Sequence, residues 1–360
     1  NMNNFLKIIL IVIVIGVVGA GTYFAFIFLR ERGILGDPSE ETPTDTISET
    51  VPKKIVSEVI ADYWINRKTG EVYYLSENGN IKKVLANGTG EIVSSQTIDN
   101  VGGLKPSFDG TAVLISMGHP KAGGFAVFNL SSKTWQPLPA GTVAAAWDSV
   151  SSNRLIYLKD SGAFSQLFYF NLTDQKSTEV QRLAQKDLEV EWISQNLIVF
   201  TDKPSRQYAS SIRSFNLQNK TIQTLIREGA GAMIKWNRTG QLGISWSGDL
   251  ELIDATGRTI SRLDLNTIPT KCGFSDSQIY CAAPSNQNSV SSSSYPDDYL
   301  KRALKSNDDL FVIPLVGLSA GEFPVIRLAS LESDAERIEI AGDQLLFLNR
   351  FDKNLYLLEL

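Results

Sequence analysis

Histidine is the side chain best suited to moving protons near neutral pH, and this chain of 360 residues contains one, His119, in the turn Gly118-His119-Pro120. A turn histidine is usually solvated and idle, and no second imidazole is present to stand beside a nucleophile. Gly243-Ile244-Ser245-Trp246-Ser247 has the outline of a nucleophile elbow, but it ends in Ser and lies within a β-patterned run, not between a strand and a helix. Asp297, Asp298, Asp308 and Asp309 carry oxygens suited to calcium, yet they lack the alternating acidic positions and central Gly of a calcium loop. Helix capping and solvated turns are the simpler account of them. Two cysteines, three methionines and one histidine are too few for zinc clusters or His-rich sites. The expectation is a protein with no catalytic residue, no metal and no cofactor.

Cys272 and Cys281 sit symmetrically about a turn at Asp276-Ser277, which places them opposite one another on adjacent strands. They are candidates for a cross-strand disulfide, a bond expected outside the cytosol. The alternative is two small buried residues in a reducing compartment.

The stretch between Cys281 and Leu310 is irregular. A polar loop from Ser285 to Ser294 precedes Tyr295-Pro296-Asp297-Asp298-Tyr299-Leu300-Lys301-Arg302-Ala303-Leu304, which reads as a short helix. Pro296 and the two aspartates suit its start, and Lys301, Arg302 and Lys305 its end. Tyr295, Asp297, Asp298, Tyr299 and Arg302 are therefore candidate recognition residues on an insertion spanning 284–305. A loop that merely covers neighbouring strand edges or an opening in the fold is the competing reading. On the recognition reading, deleting Ser285 to Leu304 should abolish partner capture and leave folding nearly intact.

The elements that must carry these residues repeat. Phe-Asn-Leu occurs at Phe128-Asn129-Leu130, Phe170-Asn171-Leu172 and Phe215-Asn216-Leu217, at intervals of 42 and 45 residues, each closing a β-patterned run before a polar turn. Aromatic anchors at Trp64, Phe108, Trp147, Trp192, Trp236 and Phe274 follow the same period, with a seventh equivalent near Ile340. Continuous apolar second strands follow, such as Leu155-Ile156-Tyr157-Leu158 and Leu197-Ile198-Val199-Phe200, as expected for strands buried on both faces. Such a period describes an all-β propeller of four-stranded blades. The seventh repeat stops at Leu360 after its third strand, and Ile55-Val56-Ser57-Glu58-Val59-Ile60 is the unassigned β-like segment that would complete it. The expected fold is thus a seven-bladed β-propeller over residues 55–360 with a mixed-chain closing blade, which removes exposed edges.

Ser107-Phe108-Asp109-Gly110-Thr111-Ala112-Val113-Leu114-Ile115 resembles the Ser-Pro-Asp-Gly strand-turn-strand motif of TolB-type, WD40-like repeats, with Phe108 where Pro is usual. The chain as a whole is similar to single-pass, membrane-anchored bacterial propeller proteins. This resemblance implies extracytoplasmic binding of a protein or peptide at one face or at the channel mouth.

Ahead of the repeats, Ile8 to Leu29 is an uncharged run of 22 residues, roughly 33 Å long as a helix at about 1.5 Å per residue, enough to cross a bilayer core of about 30 Å. A cleaved signal peptide is the alternative, but the apolar stretch continues past the small-residue site near Ala20. Residues 1–7 then form a short cytoplasmic lead, and 30–54, rich in Pro, Glu and Asp, a flexible acidic linker. Lys7 opposes Arg30 and Arg32, so the charge bias is nearly balanced; the short lead favours an extracytoplasmic propeller. A net charge of −5 excludes a phosphate-backbone footprint, so no nucleic acid is expected. Five Asn-x-Ser/Thr sequons, at Asn87, Asn129, Asn171, Asn219 and Asn237, fall at turns, where polar residues produce them by chance. The reading that follows is a non-enzymatic protein- or peptide-binding scaffold of the cell envelope. The alternatives are an envelope hydrolase or lyase with acidic residues converging in the channel, and a carbohydrate-binding surface built on exposed aromatics.

Overall fold

The computed structural model describes residues 51–118, 123–288, 290–291, 294–315 and 323–360. Ile8 to Leu29, most of the linker and His119 lie outside them. Among the described residues no helix is long and apolar enough to cross a membrane.

Seven antiparallel four-stranded sheets follow one another along the chain. Blade 1 comprises β2 (Ile60–Ile65), β3 (Val72–Ser76), β4 (Ile81–Val84) and β5 (Gly90–Ile92), and blade 2 comprises β6 (Val101–Pro106), β7 (Ala112–Met117), β8 (Gly124–Asn129) and β9 (Thr134–Pro137). Blade 3 holds β10 (Thr142–Trp147), β11 (Arg154–Ser161), β12 (Phe164–Asn171) and β13 (Lys176–Leu183); blade 4 holds β14 (Leu188–Ser194), β15 (Leu197–Asp202), β16 (Ala209–Asn216) and β17 (Ile222–Ala230). Blade 5 is β18 (Met233–Trp236), β19 (Leu242–Trp246), β20 (Leu250–Asp254) and β21 (Thr259–Leu263); blade 6 is β22 (Cys272–Phe274), β23 (Gln278–Pro284), β24 (Asp308–Pro314) and β25 (Ile326–Ser333). Blade 7 is β26 (Ala335–Ala341), β27 (Gln344–Asn349) and β28 (Asn354–Glu359), completed by β1 (Lys53–Lys54).

The period-2 geometry of the second strands explains their unbroken apolar runs. Val113 and Ile115 of β7 pack toward blade 1, whereas Ala112 and Leu114 of the same strand pack toward blade 3. Each strand therefore supplies both of its sides to a core, and a cluster of buried side chains lies at every one of the seven seams between consecutive blades. The last of them joins Leu346, Leu348 and Leu355 to Val56, Ile60, Tyr63 and Tyr74, closing the ring.

The recurrent Phe-Asn-Leu phrase has one physical meaning in all three places. The Phe is buried (Phe128, Phe170 and Phe215). The Asn carboxamide oxygen accepts the N–H two residues on, from Ser131 at 3.0 Å, Thr173 at 2.8 Å and Gln218 at 2.9 Å, which turns the chain into the outer strand. The Leu N–H donates back to the loop between the first two strands, at Thr111, Asn153 and Asn196. The sequon pattern has a related cause at Asn87, Asn129 and Asn219, whose side-chain oxygen accepts the hydroxyl of the Ser or Thr two residues on.

The closing strand differs from the expected Ile55 to Ile60. Lys53 pairs with Leu357 and Lys54 with Tyr356, and Ile55 adds one further bond to Leu355. Val56 and Ile60 are instead buried in the seam, and Ile60 opens β2. The outermost strand of a blade is a solvated edge, where lysines are suited and apolar residues are not. Apolar β-like character therefore points a few residues too far along the chain.

Phe108 is also not a blade anchor. The register pairs Pro106 with Val113 as it pairs Trp147 with Leu155 and Trp236 with Gly243, so Pro106 holds the anchor position in blade 2 and Phe108 lies in the turn beyond.

Candidate functional site

First strands of neighbouring blades touch one another at β2 and β6, β6 and β10, β10 and β14, and β22 and β26, which identifies them as the lining of the central channel. Three cations carried by first strands, Lys105 on β6, Lys235 on β18 and Arg337 on β26, reach along the lining. The Lys105 ammonium donates to the carbonyl oxygens of Ala145 in blade 3 and Val190 in blade 4, both at 3.4 Å. Lys235 donates to Cys272 in blade 6 at 2.6 Å and to Ile338 in blade 7 at 3.4 Å. Arg337 donates to Asp62 in blade 1 at 3.0 Å and to the Leu104 carbonyl in blade 2 at 3.3 Å. An innermost strand has one edge without a sheet partner, and these side chains satisfy several of its carbonyls. Each cation spans to the next blade and to the one after it.

Arg337 reaches this position because a bulge between Glu336 and Glu339 sets it at φ 58°, re-aiming its side chain. Its guanidinium is favoured first by the Asp62 charge. Burial pushes the Asp62 carboxyl up from its ordinary range, against the pull of Arg337. Glu191 is likewise raised, by the protein surrounding it and against Lys105, while burial lowers the Lys235 ammonium. Glu339 pairs with Arg67 at 3.0 Å. Carboxylates from blades 1, 4 and 7 thus do enter the channel, but cations are interleaved with them. The sequence reading missed Lys105, Lys235 and Arg337. A charge just before an anchor position, as in Lys105-Pro106, Glu191-Trp192 and Lys235-Trp236, is the signal that could have found most of the set.

The mouth formed by the turns between first and second strands is crossed by a contact between blades 2 and 5. The Arg238 guanidinium lies 4.2 Å from the centroid of the Phe108 ring, within cation–π range. The same turn is held by Asp109, which accepts bonds from Ser107, Thr111 and Lys68. Burial opposes ionisation of Asp109, yet Lys68 and these hydroxyl and amide donors hold its pKa well below the usual range.

Glu71 is depressed to about 2, first by Lys83 and then by Tyr73 and Thr69. A carboxylate whose folded pKa is lowered contributes stability above its unfolded value of 4.5, and that contribution is lost as the pH falls toward about 2. Glu71→Gln is therefore expected to lower the melting temperature at pH 7 and to have almost no effect at pH 2, which calorimetry at the two pH values would check.

Among the described residues of the blade 6 insertion the short helix is α1 (Asp297–Leu300), which covers only part of the segment from Tyr295 to Leu304 read as helical. It separates the five candidate residues into two groups. Tyr295 and Tyr299 are buried, in contact with Trp246 and with each other, and cannot meet a partner. Their rings are the apolar underside that any insertion must seat on the blade beneath it. Asp297 accepts bonds from the Ser205 hydroxyl at 3.1 Å and the Arg206 N–H at 2.7 Å, joining the insertion to the β15–β16 loop of blade 4. Asp298 is exposed, and Arg302 pairs with Glu336 at 3.0 Å. Beside them, Leu300 and Tyr208 are exposed by 46% and 72%.

Below the insertion is a charged network that sequence reasoning did not anticipate. Lys271, fully buried, lies 2.7 Å from Asp308 and 2.9 Å from Asp334. Arg350 pairs with Asp334 at 2.9 Å, donates to the carbonyls of Tyr299 at 2.9 Å and Leu304 at 3.1 Å, and stacks 3.8 Å from the Tyr299 ring centroid. Deleting Ser285 to Leu304 would expose this network, so that deletion is expected to unfold the region. Cys272 pairs with Cys281 across β22 and β23, with Cα atoms 4.0 Å apart and the sulfurs joined as a disulfide. Among the described residues no cluster of three or more His, Cys, Asp or Glu side chains could hold a metal ion.

No family model matches the chain, and no curated protein matches it. Solved structures do. The WD40 repeats of RRP9 align at a TM-score of 0.57 and 10% identity, over 87% of this chain and 97% of that one. Oligogalacturonate lyase from Vibrio parahaemolyticus aligns at 0.58 and 10%, over 88% and 92%. The tricorn protease aligns at 0.55 and 9% over 87% of this chain, which spans 34% of that protein's length. These identities speak for the fold alone, and the chain is an all-β, seven-bladed propeller like WD40 and related propeller proteins.

Proposed function

We propose that the chain is a non-enzymatic scaffold that binds a protein or peptide of the cell envelope at the face bearing the blade 6 insertion. The observation that carries this reading is the pair of bonds that Asp297 accepts from the Ser205 hydroxyl and the Arg206 N–H, which fixes the insertion against the loop of exposed Tyr208. A pre-organised surface loses little entropy on binding. Leu300 and Tyr208 supply apolar contact there, and Lys203, Lys301 and Arg302 a cationic rim on an otherwise acidic chain.

The enzyme alternative, an envelope hydrolase or lyase, asks for channel carboxylates free to act. Asp62 and Glu339 already have cationic partners, and Lys105, Lys235 and Arg337 are engaged with inner-strand carbonyls. A carbohydrate surface asks for an aromatic platform, whereas five of the six tryptophans are buried and Trp135 packs on Phe128.

The location we propose is the membrane, held by Ile8 to Leu29 as a single span with the propeller outside the cytosol, as in the single-pass bacterial propeller proteins that the sequence resembles. The Cys272–Cys281 pair supports that side of the membrane, since disulfides persist there. Proximity labelling from the propeller in its native cell tests the binding reading. Tyr208→Ala combined with Leu300→Asp is expected to remove the principal labelled protein with the melting temperature nearly unchanged. An identical labelled set would reject this face.

A further inference from the structure

The Lys271 network is arranged for more than ion pairing, and we propose that Lys271 and Asp308 condense into an intramolecular isopeptide bond that staples the base of the blade 6 insertion. Lys271 ends the short 3-10 helix Pro269–Lys271 that leads into β22. Asp308 opens β24, on the far side of the insertion. A link between them would close the chain across residues 272 to 307.

The groups around the pair match the steps of an amide condensation. The ammonium nitrogen is 2.7 Å from Asp308 Oδ2, 2.9 Å from Asp334 Oδ1 and 3.1 Å from Ser306 Oγ. Asp334, which keeps Arg350 as its own partner at 2.9 Å, is placed to take a proton from the ammonium as a general base. The Ala335 N–H donates to Asp308 Oδ2 at 2.8 Å, where negative charge develops when nitrogen attacks the carboxyl carbon. Ser306 Oγ lies 2.7 Å from Asp308 Oδ1 and also contacts the lysine nitrogen, so it can relay a proton to the departing oxygen. Burial raises the Asp308 carboxyl, which favours the protonated form from which water leaves.

The step balances without a co-reactant. The Lys271 nitrogen lone pair forms the bond to Asp308 Cγ and the Cγ–Oδ1 bond breaks. Of the three ammonium protons one stays on the amide nitrogen and two depart with Oδ1 as water, while the positive and negative charges of the pair cancel. Lys271, Asp308 and Asp334 are fully buried, and the Tyr299 ring lies 5.5 Å from the lysine nitrogen. Such a site holds the groups in contact and keeps out the water that would reverse the reaction. The Tyr295 hydroxyl, buried without a hydrogen-bond partner, carries the influence of both aspartates and borders the same space. Condensation would remove the charges of Lys271 and Asp308 from the buried cluster and leave Asp334 paired with Arg350, which also lies 3.5 Å from Glu336.

Peptide mapping of the purified full chain, reduced and denatured before trypsin, decides the matter. The expected result is a branched peptide joining Lys271 to Asp308, lighter by one water than its two parts, with no cleavage after Lys271. The Asp308→Ala chain should instead be cleaved at Lys271 and show no mass deficit. Recovery of two separate linear peptides from the unaltered chain would overturn the proposal, whatever the variant does. A missing water carried on a linear peptide would overturn it too, because that marks a cyclised aspartate and not a cross-link.

Discussion

Arg350→Ala should destabilise the propeller by about 3 to 5 kcal/mol, the usual cost of removing one partner from a buried ion pair. Arg350 is almost fully buried and no solvent can replace it beside Asp334, from which its guanidinium lies 2.9 Å away. The same side chain donates to the Tyr299 and Leu304 carbonyls and stacks on the Tyr299 ring, so its loss also frees the short helix α1. Two readouts follow. Denaturant titration should show a lower midpoint, and limited proteolysis should show early cutting between residues 285 and 307. Arg350→Lys should recover only part of the loss, because an ammonium cannot serve the carboxylate, two carbonyls and a ring face together. A variant as stable as the parent would overturn the assignment of Arg350 as the residue that holds Asp334 and the insertion together.

Gly110→Ala is expected to cost about 3 kcal/mol, combining the penalty of a left-handed backbone with that of overpacking against backbone atoms. Gly110 has φ 71°, and a methyl group there would stand 2.1 Å from the Ile65 carbonyl oxygen and 2.9 Å from the Asn66 Cα. Neither neighbour is a flexible side-chain end that could swing away. Gly110 also presents its carbonyl to the Trp64 indole N–H at 3.2 Å, coupling the turn of blade 2 to the anchor of blade 1. Gly162 is the control, since it has φ 59° with nothing within 4 Å of the added methyl. Gly162→Ala should cost only about 1 kcal/mol, the left-handed strain alone. Equal losses at the two positions would show that steric contact at Gly110 is relieved elsewhere.

The Asp109-Gly110 turn is a case in which sequence and structure agree on more than topology. Both residues are turn formers by type, and in the folded chain their roles are distinct. The Asp109 carboxylate gathers donors, and Gly110 lets the backbone of blade 1 approach. Phe108, one position earlier, shows where type fails, because an aromatic at the right interval has the same appearance whether it fills a seam or stacks on Arg238 across a channel mouth. The insertion follows the same logic. Its tyrosines and aspartates are recognisable by type, but type does not say which side of a loop faces the blade beneath it, and the tyrosines face inward.

The seven-bladed ring was legible because it rests on local, repeated requirements. A strand buried on both sides must be continuously apolar, a turn needs Asn, Asp or Gly, and seven repetitions of that order leave one strand to be supplied from elsewhere. Other features depended on residues far apart in the chain. The closing strand is a polar edge, so its identity follows from what lies on either side of it and not from its own β character. Lys105, Lys235 and Arg337 are ordinary surface-type residues until the ring brings three sets of inner strands within their reach. Lys271, Asp308, Asp334 and Arg350 come from four separate stretches of blades 6 and 7, and only their common burial, which no pattern along the chain encodes, converts four unremarkable charges into one coupled group.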